Sequence, residues 1–116
     1  MLLTLDPRSQ LPLYRQIAAA IRRSLREGDI SAGDRLPATR DLATSLGVNM
    51  HTVLRSYAML RDEGLVELRR GRGAIVREGS NEAAAVRHLV VELAMAAQHQ
   101  GMGASEVIEM LKKEFS

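Results

Sequence analysis

A fold that is mostly α with a small β-hairpin wing is what this 116-residue sequence predicts, on three observations. Apolar residues recur at helical spacing in several separate stretches. Two of the shorter stretches meet at Gly47. Directly behind them, two β-prone runs flank Arg69-Arg70-Gly71-Arg72-Gly73. The length suits one main core with at most a small appended element. An apolar fraction of 46% supports a packed interior, and with one Phe, two Tyr and no Trp that interior must be aliphatic. No cysteine is present, which excludes disulfide frameworks, thiol nucleophiles and thiolate zinc fingers, and suits a reducing compartment.

The first helix is predicted over Leu13 to Leu25, where Tyr14, Ile17, Ala18, Ile21 and Leu25 form one stripe and Arg15, Arg22, Arg23 and Arg26 lie on other faces. Gly28 stops it. A loop marked by Gly33, Asp34 and Pro37 follows, then a short second helix carried by Leu42, Ala43 and Leu46 and closed by Gly47 in a left-handed turn. It begins at Ala38 or Thr39, and only Thr39 offers a capping hydroxyl. Asn49 is the predicted N-cap of a third helix whose inward face is Val53, Tyr57 and Leu60 and which ends before Gly64. Two short helices about a tight glycine turn make a helix-turn-helix.

Leu65–Leu68 and Ala74–Val76 then read as the strands of a hairpin, which in this position is a wing. Composition shifts beyond Glu78-Gly79-Ser80-Asn81. An alanine-rich helix follows through Ala84, Leu89, Val90, Leu93, Met95 and Ala97, and Gly101 and Gly103 break it. A last helix is predicted near Ser105, with Ser105 as cap and Val107, Ile108, Leu111 and Phe115 on its buried side. The expected architecture is a winged helix-turn-helix domain over 1–78 plus a C-terminal two-helix dimerisation element over 79–116. In that element the stripes Leu89/Leu93 and Ile108/Leu111/Phe115, exposed in a single copy, pair across a two-fold axis to give a homodimer.

Asp6 and Pro7 interrupt the apolar start before it could serve as a signal segment, and no later stretch offers about 18 uninterrupted apolar residues. The expectation is a cytoplasmic protein with no membrane partner. Net charge is +2, unevenly spread: residues 1–80 hold thirteen Arg against nine acids, and residues 81–116 three basic against five acidic residues. An all-arginine front half suits phosphate and guanine edges, although a solvated surface fits as well.

A helix-turn-helix sets the start of its second helix against base edges in the major groove of double-stranded DNA. That places Asn49, Met50, His51, Thr52 and Arg55 at the reading position. Asn pairs bidentately with adenine, Arg with guanine, and Thr or Met methyls touch the thymine methyl. Asn49 could equally serve only as a cap, and Met50 only as packing. Arg40, exposed in the first turn of the second helix, either reaches DNA or pairs with Asp41 or Asp62. At the wing tip, Arg70, Gly71 and Arg72 combine a permissive backbone with positive charge and suit a minor groove or phosphate. His88 and His99 are too far apart on one helix to share an ion and read as surface residues; no metal and no cofactor is expected. With no GxSxG, P-loop, HExxH or dinucleotide fingerprint, nothing specifies an enzyme.

Taken together, Tyr14-x-Gln16-Ile17, Gly33-Asp34-x-Leu36-Pro37, Arg40-x-Leu42-Ala43, Leu46-Gly47-Val48, Thr52-Val53, Leu60-x-x-x-Gly64-Leu65 and Gly71-x-Gly73 resemble the DNA-binding domain of the GntR family of bacterial transcription regulators across residues 10–77. Only 36 residues follow Ser80, where larger members carry a much bigger effector domain. That short tail, with Val48-Asn49-x-x-Thr52-Val53-x-x-x-Tyr57, resembles the YtrA-like subfamily, whose tail is two helices used for dimerisation. The resemblance implies that Arg40 contacts DNA, that Asn49, His51 and Thr52 face the major groove, and that Arg70-Gly71 approaches the minor groove. It further implies a repressor that binds a pseudo-palindromic operator near transporter genes. Met50 and Leu54 depart from relatives that carry Arg there, so no operator sequence transfers, and whether Arg55 substitutes stays open.

The rival reading is a winged-helix protein–protein interaction module without DNA binding, which calls for an apolar patch on the third helix. A small-molecule effector is compatible with the first reading. The tail is too small to enclose a cavity of several hundred Å3, so an effector would use the dimer interface or the junction between the two parts.

Overall fold

The computed structural model describes residues 3–70 and 73–116. Among them it forms α1 (Leu13–Glu27), α2 (Thr39–Leu46), α3 (Met50–Asp62), β1 (Val66–Arg69), β2 (Gly73–Val76), α4 (Ser80–His99) and α5 (Ala104–Glu114). The chain divides into two compact units, Met1–Ala85 and Val86–Ser116.

In the first unit α1 buries Ile17, Ala18, Ile21 and Leu25, four positions on one face, and ends at Gly28. Gln16 ties down the segment ahead of it, accepting from the Asp6 amide at 2.7 Å and donating to the Asp6 and Leu11 carbonyls at 2.9 and 2.8 Å. At the front of α2, Ala38 takes the cap position and Thr39 is already helical, so no side chain caps this helix. Its far end closes at Gly47 with φ +68°. A Cβ there would meet open space, so the demand for glycine is set by the backbone alone.

From Asn49 the chain re-enters a helix, and α3 buries Val53, Ser56, Tyr57 and Leu60 against the other helices. Ser56 is the one polar residue on that face. Its hydroxyl sits 2.8 Å from the Tyr14 carbonyl and 2.9 Å from the Thr52 carbonyl, so it satisfies itself while joining α3 to the start of α1. Tyr57 donates its hydroxyl to the Pro37 carbonyl at 2.6 Å, fixing the approach to α2, and burial pushes its phenol pKa up.

The wing is an antiparallel pair with Val66 opposite Val76 and Arg69 opposite Gly73. A third segment lies along the free edge of β2. Arg35 bridges Ile75, the Leu36 amide donates to Ala74 at 2.8 Å, and the Val76 amide donates to Asp34 at 2.8 Å. The sequence reads this stretch as loop because so few residues separate Gly33 from Pro37 that no alternation can show. Pairing supplied by β2 overrides the turn signals.

Ser80 and Asn81, expected at the head of the tail, belong to the first unit. The buried Ser80 hydroxyl donates to the Leu65 carbonyl at 2.6 Å. Asn81 donates to Leu25 and Ile30 carbonyls at 2.6 and 2.8 Å, and Ala84 joins the core. The first compact unit reaches Ala85, inside α4, and these hydrogen bonds bind the first turns of α4 to the winged helix.

In the second unit α5 begins at a different residue from the one expected. Gly103 is its N-cap, without a side-chain hydrogen bond, and Ser105 lies within the first turn. Of the residues predicted on its buried side, Val107 is half-buried, Ile108 and Leu111 are exposed, and Phe115, the residue that ends the helix, is 84% exposed. Leu89 and Leu93 of α4 are also exposed, so this unit covers little of its own apolar surface. An open groove of about 300 Å3 runs between α4 and α5, lined among others by Val90, Leu93, Ala97, Met102, Val107 and Leu111. Another, of about 360 Å3, lies beside Leu93, Met110 and Glu114.

Candidate nucleic-acid interface

Because α3 buries the 53/56/57/60 face, it presents Met50, His51, Leu54 and Arg55 outward, with Thr52 half-buried beside them. His51 and Arg55 are one helical turn apart, as are Met50 and Leu54, so a polar and an apolar pair lie side by side on the exposed surface. Asn49 is the cap: its Oδ1 accepts from the His51 amide at 2.8 Å. That leaves its amide nitrogen available to a ligand. Leu54 was legible in the sequence only as a departure from relatives; its exposure of 42% next to Met50 makes it part of this surface.

Arg40 is exposed in the first turn of α2. Neither acid that could have neutralised it does so, Asp62 pairing instead with Arg61 at 3.2 Å. Among the described residues Arg40 has no hydrogen-bond or ion-pair partner. In the wing Arg69 turns back to Glu67 at 3.3 Å, whereas Arg70 is exposed and engages no described group. Gly71 and Arg72 lie outside the described residues, and Gly73 opens β2 with φ +74°.

Arg55 is not free in the way its exposure suggests. Its guanidinium carbon stands 3.9 Å from the centre of the Tyr14 ring, a close cation–π contact. Arg15 approaches the same ring at 5.9 Å, and its Nε donates to the Tyr14 hydroxyl at 3.2 Å. That hydrogen bond, aided by the charges of Arg15 and Arg55, holds the Tyr14 phenol below its ordinary pKa against the opposing effect of desolvation. No sequence pattern links positions 14 and 55; only the crossing of α1 by α3 does.

His88, read from the sequence as a surface residue, has Glu92 four places on, and the two lie 2.9 Å apart. Among the described residues no three His, Cys, Asp or Glu side chains come together in a way that could hold a metal ion. Nor is any helix among them long and apolar enough to cross a membrane.

A helix-turn-helix with an exposed second helix and an arginine-bearing hairpin behind it defines the winged-helix DNA-binding proteins. The pattern of the family described as "Bacterial regulatory proteins, gntR family" matches residues 13–76, and the chain belongs to that family, as a YtrA-like member. It is 30% identical to the HTH-type transcriptional repressor YtrA of Bacillus subtilis across 97% of this chain and 91% of that protein. Several other curated relatives are longer, the chain spanning 18% of one and 58% of another. Among solved structures, YtrA from Sulfolobus acidocaldarius, a GntR-family transcription factor, matches at 33% identity with TM-score 0.66, covering 83% of this chain and 99% of that one. The DNA-binding domain of AraR in complex with operator ORX1 matches at 29% identity with TM-score 0.57, covering 64% of this chain and 92% of that one. The protein is a DNA-binding transcription regulator, of a family that is not enzymatic.

Proposed function

We propose that the chain is a cytoplasmic repressor that occupies a pseudo-palindromic operator as a homodimer. The observation that carries this reading is the set of exposed polar side chains that no described group engages: Arg40 on α2, His51 on α3 and Arg70 on the wing. They occupy three elements of one unit, as a docked winged helix requires. On this reading the N-terminal turn of α3 enters the major groove, where the Asn49 amide nitrogen, His51 and Thr52 meet base edges. Arg40 takes a phosphate or guanine from α2, and Arg70, with Gly71 and Arg72, follows the minor groove. Repression is the activity named for the Bacillus subtilis relative, and operator binding for the AraR domain.

The homodimer is supported by the apolar surface of the second unit, where Leu89, Leu93, Ile108, Leu111 and Phe115 all stand exposed. Such a concentration on one small helical pair favours burial by a second copy. An effector, if the protein takes one, would be a largely apolar molecule seated in the open α4–α5 grooves, which a second copy would have to close. Exposure of Met50 and Leu54 gives the interaction-module reading its one specific support, an apolar pair on α3.

Sedimentation of the protein alone and on a labelled duplex from upstream of its own gene tests the proposal. The expected result is a dimer, with two copies per site and protection of two half-sites about 10 bp apart or a multiple of that. Leu93→Glu together with Leu111→Glu should give a folded monomer of weakened affinity. A wild-type monomer binding one half-site would contradict the dimer, and capture of protein partners without any DNA binding would favour the interaction module.

A further inference from the structure

Tyr14, Arg15 and Arg55 form a cluster that the reading of bases does not use. Two guanidiniums are gathered on one aromatic ring, at 3.9 and 5.9 Å from its centre, and among the described residues neither has a carboxylate partner. Elsewhere in this unit the structure does supply acids to arginines, as Glu63 to Arg22 and Glu67 to Arg69. Positive charge concentrated without a counter-ion attracts an anion. The Tyr14 hydroxyl accepts from Arg15, which leaves its own O–H to donate.

The position says which anion. Arg55 lies one turn beyond His51 on the exposed face of α3, and Tyr14 is held at that level because Ser56 bonds its carbonyl. A helix whose first turn is in the major groove brings its next turn towards the sugar–phosphate wall. We propose that Tyr14, Arg15 and Arg55 clamp one DNA backbone phosphate, with Tyr14 acting as a positioning residue that commits Arg55 to the phosphate and withdraws it from base reading. This rests on the DNA-reading surface assigned above and refines it. Stacking on Tyr14 limits the rotamers of Arg55, so less side-chain entropy is lost when the phosphate arrives.

Phosphate contacts are blind to sequence, so the test needs no known operator. Dissociation constants are measured over a series of salt concentrations for the full chain on a scrambled duplex and on the upstream duplex. The proteins are wild type, Arg55→Gln, Tyr14→Leu, Tyr14→Phe and the Tyr14→Leu/Arg55→Gln double variant. Thermal unfolding of each confirms that it is folded. Arg55→Gln should weaken binding several-fold and by the same factor on both duplexes, and lower the salt slope by up to roughly 0.9, one phosphate's worth. Tyr14→Leu should match most of that loss, Tyr14→Phe should lose less because the ring remains, and the double variant should fall well short of the product of the two single effects. The clamp is overturned if Arg55→Gln changes the preference between duplexes at constant salt slope, if it changes nothing, or if the two single effects multiply. Wild-type protein that binds neither duplex would instead remove the DNA-reading surface on which the clamp depends.

Discussion

Arg22 of α1 and Glu63, the residue that ends α3, meet through two parallel hydrogen bonds, Nε to Oε1 at 2.7 Å and Nη2 to Oε2 at 2.5 Å, with side chains only 19% and 10% exposed. The fork geometry suits guanidinium and carboxylate, and the pair locks the far end of α3 on α1 while Ser56 locks the near end.

Removing either partner deprives a largely buried charge of this paired contact. Arg22→Ala and Glu63→Ala should each lower unfolding free energy by about 2–4 kcal/mol, read from urea titration, whereas Arg22→Met with Glu63→Leu should recover most of the loss. A double variant as unstable as the worse single one would show that the cost does not come from a buried charge losing its fork.

At Gly47 the cost of a side chain is one of backbone alone, since φ is +68° and the space is open. Gly47→Ala should destabilise by about 1–2 kcal/mol, while Gly47→Asn, better tolerated in the left-handed region, should lose less. Equal losses measured by chemical denaturation would mean that steric crowding at the turn sets the cost.

Much of the fold was legible because its signals are local. Helical stripes located α1 and α3, Gly47 marked the turn, and Asn49 reads as a cap from its type and place alone. What escaped depends on distant partners. The edge pairing at Arg35 exists only because β2 lies beside it, and the first turn of α4 is tied to the winged helix because Ser80 and Asn81 find carbonyls of Leu65, Leu25 and Ile30. Ser105 resembles a cap, yet Gly103 takes the position, since the turn through Gly101 and Met102 decides where helical backbone resumes. In the candidate site the same rule holds: the exposure of Arg40 and His51 follows from periodicity, but the stacking of Arg55 on Tyr14 needs α1 and α3 to cross.

Division of labour on the surface gives a prediction of contrasts. Arg40→Ala and Arg70→Ala should each weaken DNA binding, with Arg70→Ala reducing the salt dependence the more of the two, whereas His51→Ala or Thr52→Ala should mainly erode the preference for native over scrambled duplex. Binding isotherms on both duplexes separate these effects; an Arg40 or Arg70 variant with unaltered affinity would remove that residue from the interface.

Met50 and Leu54, 38% and 42% exposed and one turn apart, suit contact with thymine methyl groups. Replacing thymine by deoxyuridine through a footprinted site should cost several-fold in affinity for wild type, and the cost should shrink in Met50→Ala/Leu54→Ala. Indifference of the wild type to the missing methyls would assign the pair to another partner.

Binding of the purified protein to labelled DNA from upstream of its own gene, beside a scrambled duplex at low and moderate salt, is the most direct measurement. An α3 that reads bases predicts salt-sensitive binding that strongly prefers the native fragment at both concentrations. Equal affinity for the two duplexes, or none for either, would contradict it.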